Sequence, residues 1–599
     1  MLFQLVIVGL ILYWLYYEFV HKRKGLPPGP MPLPIVGNML QINTTDPAKS
    51  LRNLAKEYGP VVSVWLPIHQ VVICDYELMK EAMVKQGESF SGRPEMFLFE
   101  TFTDGKEHKG LVMSNGPIWR EQRRFALHTL RDFGLGRNMM QEKIMTEANR
   151  LVSHLKSLIA QGQPTVNPKD VLGVCVGSII SCLIFGHPYE FNDKRFLRLR
   201  GLINQTNQTF THPTAMIMEI WPALKFVPPF RQTLATLRDR ALEFREFIFE
   251  EMADHKDKLD DTSEVDDYME AFLKEQRNLL KTHKTEGSFS DWQLYLSGMN
   301  MWAAGLDTTV TTLCWAIVYM LHYPKVAQKI RQEIDQKLGD SEVTLADKNR
   351  LPYVTASLHE IQRVADIVPA GVFRMTMQEC TLAGYHLKAG TTVVPVLSAL
   401  HQDEKVFPEP LNFRPERFIE NPSLVEHLAP FGMGKRICLG ESLARAELFL
   451  IFVTLMQKFD FDVPVGEAMP DMLGSGTYVG NRWVLTVAHN IDMLIKNPVT
   501  HKIMVTGGSA SHRKNRDRIA FAHAIREHPG YKDCLKDPGK LREGCVDLAL
   551  IQLDREIDGL VPVCVHTHQT PLYHFFDVRV FGWGLTSGGT CKFLLGIEA

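Results

Sequence analysis

The stretch Phe431 to Gly440, F-G-M-G-K-R-I-C-L-G, constrains the fold and chemistry of this chain more than any other. It combines one cysteine, closely spaced glycines and two basic side chains, and it directly precedes a run with helical periodicity, E-S-L-A-R-A-E-L-F-L-I-F. Cys438 is therefore predicted to lie at a helix N-terminus, where the helix dipole and free amide groups stabilise an anionic sulfur. That environment suits a thiolate that binds a metal.

The spacing of the surrounding residues narrows the kind of metal site. A zinc site would need several Cys or His residues nearby, and none has the required spacing. Haem iron needs only one axial protein ligand, because the porphyrin supplies four others, so one cysteine is enough. The alternative is a buried structural cysteine beside a glycine-rich turn, which is the usual interpretation of a lone cysteine.

The stretch resembles the haem-binding signature F-x-x-G-x-R-x-C-x-G of the cytochrome P-450 family, the haem-thiolate monooxygenases, at every fixed position. The resemblance implies haem b as the cofactor, with Cys438 as the axial iron ligand and Phe431 shielding its sulfur. It also implies that Gly434 and Gly440 let the backbone approach the porphyrin. Arg436 is expected to pair with a haem propionate through a charge-assisted bond.

Composition indicates a globular protein with more than one core and gives little sign of a nucleic-acid partner. The chain has 599 residues, of which 45% are hydrophobic and 22% charged, with a formal net charge of -2. No long basic run with interleaved aromatic residues is present, so we expect no nucleic-acid binding. The cysteines are scattered singly, which indicates neither a disulfide framework nor a C-x-x-C site before the haem motif.

Residues 1–20 are predicted to form an N-terminal transmembrane helix. The run is apolar over close to the ~20 residues that a spanning helix needs, and His21-Lys22-Arg23-Lys24 follows it. Positive charge on that side predicts that the following domain faces the cytosol; a cleaved signal peptide is the alternative, but no basic n-region or small-x-small site supports it. Residues 21–49 continue as a basic and proline-rich hinge, predicted to be a stiff extended spacer. The resemblance implies anchoring in the endoplasmic reticulum membrane.

Residues 50–473 are predicted to form one mainly α domain with small β-sheets. Long helical patterns alternate with short segments rich in Gly and Pro, and two strand-like runs lie between Val61 and Cys74.

Trp119 and Arg123 are four residues apart on one helical face, so both could reach one ligand. Taken alone, the pair is more often helix surface plus core. In the resembled family this pair binds a haem propionate.

The motif 304–309, A-G-L-D-T-T, lies inside a long apolar helix pattern. Gly and back-bonding Thr in mid-helix lower stability, so their presence needs a reason. A purely structural reason would be close packing between neighbouring helices at this point. The resemblance implies instead a catalytic role, in which Thr308 hydrogen-bonds to oxygen and Asp307 relays protons from solvent.

Two further motifs are predicted to be structural. Glu360 and Arg363 lie one helical turn apart, and Arg417 follows in P-E-R-F. On a surface, such a pair would contribute only ~0.2–0.5 kcal/mol. The motifs resemble the E-x-x-R and P-E-R-F of the same family, which implies a buried network of these three residues. Arg374 stands where the family often places another propionate-binding arginine.

From Ser475 the residues change in kind. Strand-like residues lead to His489, Val546-Asp547-Leu548-Ala549 follows, and a G-W-G segment comes later; in this order they resemble parts of a trypsin-type serine protease. Residues 475–599 are therefore expected to be an incomplete all-β trypsin-like domain. It contains no G-D-S-G-G nucleophile, so His489 and Asp547 are expected to be vestigial and inactive. The haem domain is expected to lack its C-terminal hairpin.

The sequence thus predicts a membrane-anchored haem-thiolate monooxygenase that inserts one oxygen atom of O2 into a small apolar substrate. The resemblance implies electrons from NADPH through a flavoprotein reductase, with membrane lipid as the other partner. Two alternatives remain. The chain is either an inactive pseudoenzyme or fused gene product joined near Gly474, or a trypsin-like endopeptidase, which the missing serine disfavours.

Overall fold

The computed structural model describes residues 23–464, except 35, 44–45, 67, 104–108, 134–137, 211 and 263, and six strands between 476 and 596. The predicted transmembrane helix at 1–20 lies outside the described residues. Contacts divide the chain into two compact units. The first comprises Met1–Ser153, Val171–Ala316 and Gln328–Gln457, and the second comprises His154–Asp170, Ile317–Ala327 and Lys458–Ala599.

Helices dominate between residues 47 and 458, as predicted. The α-helices are α1 Pro47–Tyr58, α2 Tyr76–Lys80, α3 Glu100–Thr103, α4 Gly116–Asp132, α5 Asn138–Ala160, α6 Pro168–Ile184, α7 Lys194–Phe210, α8 Pro213–Ile220, α9 Pro228–Lys258, α10 Tyr268–His283, α11 Asp291–His322, α12 Pro324–Lys337, α13 Pro352–Ala365, α14 Leu397–His401, α15 Glu416–Glu420 and α16 Glu441–Lys458. Short 3₁₀ turns include Gly434–Arg436.

The strands form four small sheets. They are β1 Val61–Trp65, β2 His69–Ile73, β3 Thr165–Val166, β4 Arg374–Met375, β5 Cys380–Leu382, β6 Tyr385–Leu387, β7 Thr392–Pro395, β8 Asp460–Asp462, β9 Gly476–Gly480, β10 Trp483–Thr486, β11 Met504–Thr506, β12 Ile519–Glu527, β13 Ala549–Leu553 and β14 Phe593–Gly596. The sheet orders are β1-β2-β7-β4, β11-β12-β13-β10-β9, β3-β14-β8 and β5-β6. The predicted fold class, mainly helical with small sheets, is confirmed.

The first sheet is buried on both faces. Successive side chains of a strand point to opposite faces, so neighbouring residues of β1 show what covers each one. On β1, Val61 packs in one apolar cluster, while Val62 and Val64 pack in another. The two strands predicted between Val61 and Cys74 are thus confirmed as β1 and β2, which pair antiparallel.

The proline-rich segment, predicted to be a stiff extended spacer, is tied by hydrogen bonds to neighbouring residues. The Pro28 carbonyl accepts a hydrogen bond from Ser63 N at 2.9 Å, and the Asn38 side-chain amide donates to Met31 O at 3.1 Å. Asn38 is fully buried. Prolines leave carbonyls free but supply no N–H, so the carbonyls of this segment accept hydrogen bonds from β1 and from Asn38 within the first unit.

Helix α11 is continuous through the A-G-L-D-T-T motif. Helices α11 and α6 pack closely at Gly305, because a Cβ there would lie 2.8 Å from Ile180 Cδ1 on α6. Among the described residues, α11 is also the one helix long and apolar enough to cross a membrane, but 61% of its most apolar window is buried inside the protein, as in a core helix.

Candidate functional site

Cys438 lies in the loop between the 3₁₀ turn Gly434–Arg436 and helix α16. Its backbone N–H donates to the Phe431 carbonyl at 3.0 Å, which closes the loop three residues before Glu441 begins the helix. Of the six cysteines that the structure describes, Cys438 alone is exposed. The side chain is therefore accessible at a helix N-terminus, where the sequence placed it.

The groups around Cys438 have opposing effects on the pKa of its thiol. The thiol is reachable by solvent yet surrounded by protein, so desolvation raises its pKa; the N–H of Gly440 lowers this pKa, Glu441 raises it further and Arg123 lowers it. The expected stabilisation of a thiolate by the helix terminus is present but does not dominate. A positive partner such as a metal would be needed to hold the anionic form.

The glycines of this loop serve two different purposes. Gly434 has φ +75°, and a Cβ there would lie 1.7 Å from the Met83 carbonyl oxygen, so this glycine is required by contact with the 81–85 turn. A Cβ at Gly440 would meet no protein atom within 4 Å. Open space beside the cysteine therefore lies at Gly440, whereas Gly434 has a protein neighbour that the sequence did not indicate.

Four arginines converge beside this loop: Arg93, Arg123, Arg374 and Arg436. Arg436 Nη1 and Arg93 Nε both donate to the Val112 carbonyl, at 3.4 and 3.2 Å. Arg374 Nη2 donates to the Arg436 carbonyl at 3.4 Å, and Arg123 Nη2 donates to the Ile437 carbonyl at 2.6 Å. Backbone carbonyls thus orient all four guanidinium groups around one place.

Trp119 belongs to the same cluster. Its ring is buried, with the Arg436 guanidinium carbon 3.8 Å and the Arg123 guanidinium carbon 6.0 Å from the ring centroid. Both Trp119 and Arg123 lie on α4, so the predicted pairing on one helical face is observed. The aromatic face attracts the cations, but it does not neutralise them.

The four guanidinium groups have no salt bridge to a carboxylate among the residues that the structure describes. Burial, followed by repulsion from Arg93 and Arg123, lowers the pKa of Arg436 to about 8. Burial and the other three arginines lower the pKa of Arg374 well below its usual range, and its Nη1 has no hydrogen-bond partner within the described part of the chain. Buried charges without a counter-charge are costly, so this cluster could hold an anionic ligand with several oxygen acceptors.

Helix α11 carries Asp307 and Thr308. Thr308 is exposed, and its hydroxyl donates to the Ala304 carbonyl at 2.7 Å. Asp307 is half-buried, and its Oδ2 accepts from Asn207 Nδ2 on α7 at 2.9 Å. A titratable carboxylate and a hydroxyl group are thus carried by consecutive residues on an accessible part of the helix.

The three predicted structural residues do come together. Glu360 accepts from Arg363 Nε at 2.8 Å and Nη2 at 2.9 Å, and from Arg417 Nε at 3.1 Å. All three side chains are at most 3% exposed. Burial of the whole network supports a structural role.

Sequence reasoning missed Arg93 and Glu447. Arg93 precedes a proline in a loop, and nothing in its neighbourhood distinguishes it from a surface arginine. Glu447 lies among apolar residues of α16, and an isolated carboxylate in such a run was the only available signal.

The predicted His489 and Asp547 lie outside the described residues. Strands β10 and β13, which come before and after them in the chain, pair antiparallel, with Thr486 opposite Ala549. The strand-like residues predicted before His489 and after Asp547 are therefore observed as strands β10 and β13.

Comparison with known proteins gives a consistent result. The sequence model of the family "Cytochrome P450" matches residues 27–481. The chain is 37% identical to cytochrome P450 2C23 from Rattus norvegicus over 449 residues, covering 74% of this chain and 88% of that protein. It is 35% identical to vitamin D(3) 25-hydroxylase from Sus scrofa, covering 78% and 94% of the two chains. It is also 35% identical to cytochrome P450 2J2 from Homo sapiens, covering 78% and 91%.

Proposed function

This chain belongs to the cytochrome P450 family of haem-thiolate monooxygenases, and we propose that it inserts one oxygen atom of O2 into a small, largely apolar molecule. Its cofactor is haem b, and the family draws its electrons from NADPH through a reductase. The observation that carries the proposal is the accessible cysteine beside four arginines, three of them buried and Arg123 half-buried, that have no carboxylate partner among the described residues. A haem has one iron to be ligated and two propionates to be paired, which matches this arrangement.

Cys438 is the proposed axial ligand. When bound through a cysteine thiolate, haem supplies the electron-rich iron that favours O–O cleavage. The loop fixes the position of the sulfur, because the Cys438 N–H is bonded to the Phe431 carbonyl and α16 begins at Glu441. Phe431 is held in turn by the Arg445 guanidinium, which lies 4.8 Å from its ring centroid. Gly440 leaves the adjacent space free.

Trp119, Arg123, Arg374 and Arg436 are the proposed propionate-binding residues, and Arg93 joins them. Arg374 Nη1 is buried, has no hydrogen-bond partner among the residues that the structure describes, and so would gain most from a carboxylate. Guanidinium groups bind carboxylates in a bidentate way, which also fixes the orientation of the ligand. The cluster therefore both neutralises and orients the cofactor.

Thr308 and Asp307 are the proposed catalytic residues. The Thr308 hydroxyl donates a hydrogen bond to the Ala304 carbonyl, and by rotating it can offer its proton to a reacting oxygen instead. The Asp307 carboxylate is half-buried and can take up protons from solvent, while the Asn207 amide orients it. The two residues thereby hold and resupply one proton. Glu360, Arg363 and Arg417 have no part in this step and brace the fold.

The substrate class, partners and location complete the proposal. An apolar substrate would be held by non-polar contacts, as in most small-molecule pockets. The name of the porcine relative says that it hydroxylates vitamin D(3), an apolar molecule. We further propose an NADPH-dependent flavoprotein reductase as the electron donor. The proposed location is the endoplasmic reticulum membrane, with the catalytic domain in the cytosol and residues 1–20 as the anchor.

Replacement of Cys438 tests this function. The full chain, loaded with haem, reduced and exposed to carbon monoxide, should give the red-shifted Soret band of thiolate-ligated iron. Cys438→Ala should abolish that band, because no other described cysteine is exposed. Cys380→Ala, which alters a half-buried cysteine of β5, is the matched control and should keep it. A normal band in Cys438→Ala would contradict the assignment.

A further inference from the structure

A buried carboxylic acid links helix α16 to helix α11 beside the proposed catalytic threonine. Glu447 lies on α16, nine residues after Cys438, and is 1% exposed. Its Oε2 accepts from the Thr309 hydroxyl at 3.3 Å, and its Oε1 has no hydrogen-bond partner among the described residues. A buried carboxyl group with one unsatisfied oxygen costs stability, so a structural explanation alone is weak.

Thr309 behaves differently from the threonines beside it. Thr308 and Thr312 donate to carbonyls four residues back on their own helix, at 2.7 and 2.8 Å. Thr309 instead donates to another helix. Thr309 directly follows Thr308, so its contact with Glu447 holds the same turn of α11 that carries Thr308.

This turn is fixed from a second side. Gly305 packs against Ile180 of α6, and a Cβ at Gly305 would lie 2.8 Å from Ile180 Cδ1. Helix α6 thus blocks movement of α11 in one direction, while Glu447 holds it from α16. Between these contacts the orientation of Thr308 is set, because a helix turn held at two points has little rotational freedom.

The charge state of Glu447 can alter the contact. Burial raises the pKa of Glu447 to about 8, so it is mostly a neutral acid at neutral pH. The titratable groups facing it are the Cys175 thiol of α6 and, around that thiol, Glu147 and Arg150 of α5. Ionisation would place an uncompensated anion between the helices and strain the α11 turn.

We propose that Glu447 is a positioning residue of the monooxygenase: its carboxyl group holds Thr309 and thereby orients Thr308 for proton delivery. This inference rests on the proposed function. Coupled turnover uses one substrate, one O2, one NADPH and one proton to give hydroxylated product, water and NADP⁺. When the proton is misdelivered, the same O2, NADPH and proton give hydrogen peroxide and NADP⁺, and the substrate is unchanged.

The first test measures hydrogen exchange of peptides covering 304–312 in the full, haem-loaded chain at pH 7 and 9. Glu447→Leu and Thr309→Val should each exchange several-fold faster than wild type in this segment. Glu447→Gln keeps a polar acceptor and should restore protection. The wild type should lose protection at pH 9 relative to pH 7 after correction for intrinsic rates, whereas Glu447→Gln should not. Thr454→Val, a buried change on α16 at a hydroxyl that bonds to the Leu450 carbonyl, is the control and should match wild type.

The second test measures peroxide released per NADPH consumed, with a purified NADPH-dependent reductase and lauric acid as the apolar probe. Glu447→Leu and Thr309→Val should raise this ratio several-fold, Glu447→Gln should return it toward wild type, and the double variant Glu447→Leu/Thr309→Val should be no worse than either single variant. If Glu447→Leu fails to take up haem, Thr309→Val decides the outcome.

The two proposals fail in different ways. A ferrous–carbonyl band that survives Cys438→Ala removes the proposed function. A normal band in all variants, together with exchange and peroxide ratios equal to those of Thr454→Val, removes the role of Glu447 and leaves the proposed function standing. Altered exchange with an unchanged peroxide ratio also overturns the role, because the contact would then be purely structural.

Discussion

At the scale of single residues, the site is defined by charges that the protein does not itself balance. Arg93, Arg123, Arg374 and Arg436 converge with backbone carbonyls as their acceptors and no carboxylate pairing among the described residues. Such an arrangement is unfavourable without a ligand and favourable with a dianionic one. The stability of the protein is therefore expected to depend on its cofactor.

Arg374→Met tests this dependence directly. Removing one buried cation relieves repulsion, so the haem-free protein should gain about 1–4 kcal/mol in free energy of unfolding. The haem-loaded variant should lose haem faster, because a propionate loses its partner. Urea unfolding of the haem-free chain and haem transfer to a second apoprotein measure the two effects. Arg124→Met, an exposed arginine on α4, is the control; equal behaviour of the two variants would contradict the prediction.

At the scale of elements, buried polar pairs join helices that are distant in the chain. Glu360 and Arg363 of α13 meet Arg417 of α15, and Thr309 of α11 meets Glu447 of α16. The first network is saturated, since Glu360 also accepts from the Arg414 N–H at 2.8 Å. In the second, Glu447 Oε1 has no hydrogen-bond partner among the described residues. A buried polar atom without a partner needs an explanation, and the proposed positioning role of Glu447 offers one.

Glu360→Gln should destabilise the protein strongly. The change removes the only described carboxylate facing two buried arginines, and loss of one partner of a buried pair typically costs about 3–5 kcal/mol. Thermal unfolding followed by circular dichroism measures the effect. Glu420→Gln removes an exposed partner of Arg414 and should cost at most about 1 kcal/mol. A melting temperature for Glu360→Gln as high as that of the control would show that the network contributes little.

Glu447 should make stability depend on pH. Its pKa is raised from an ordinary value of 4.5 to about 8 in the folded state. Between these values the folded protein holds a proton that the unfolded chain has released, so the free energy of unfolding should fall as pH rises from 4.5 to about 8 and then level off. Glu447→Gln should flatten this part of a pH series of urea unfolding curves, while Glu420→Gln should not. An unchanged slope in Glu447→Gln would contradict the raised pKa.

At the scale of the whole molecule, the predicted division near Gly474 does not coincide with every structural contact. Strand β14, Phe593–Gly596, is the middle strand of a sheet with β3 and β8, and the register pairs Leu594 with both Thr165 and Asp462. Two of these strands lie within 50–473 and one within 475–599. The family match also continues to residue 481. The last described strand is thus part of the same unit as β8.

Deletion of residues 593–599 should therefore lower stability. Strands β3 and β8 would each lose their shared partner, which exposes backbone N–H and C=O groups along two edges. We expect the melting temperature to fall by an amount equivalent to about 1–3 kcal/mol. Deletion of 597–599, which leaves the strand intact, is the matched control. Equal melting temperatures for the two truncated chains would show that β14 contributes no stability to this sheet.

The sequence by itself determined the features that local chemistry encodes. The glycine-flanked cysteine before a helical run predicted the position of Cys438, two strand-like valine-rich runs predicted β1 and β2, and the three-residue spacing of Glu360 and Arg363 predicted their contact. Each depends on neighbours within a few positions, so periodicity and capping rules suffice.

Only the tertiary structure decided which distant residues join them. It placed Arg93 beside Arg436, Thr309 against Glu447, the Met83 carbonyl over Gly434, and β14 between β3 and β8. Each of these contacts joins residues more than a hundred positions apart, and such contacts leave no periodic signal in the chain. Their partners are selected by packing and by the need to satisfy buried polar groups, which only the folded molecule specifies.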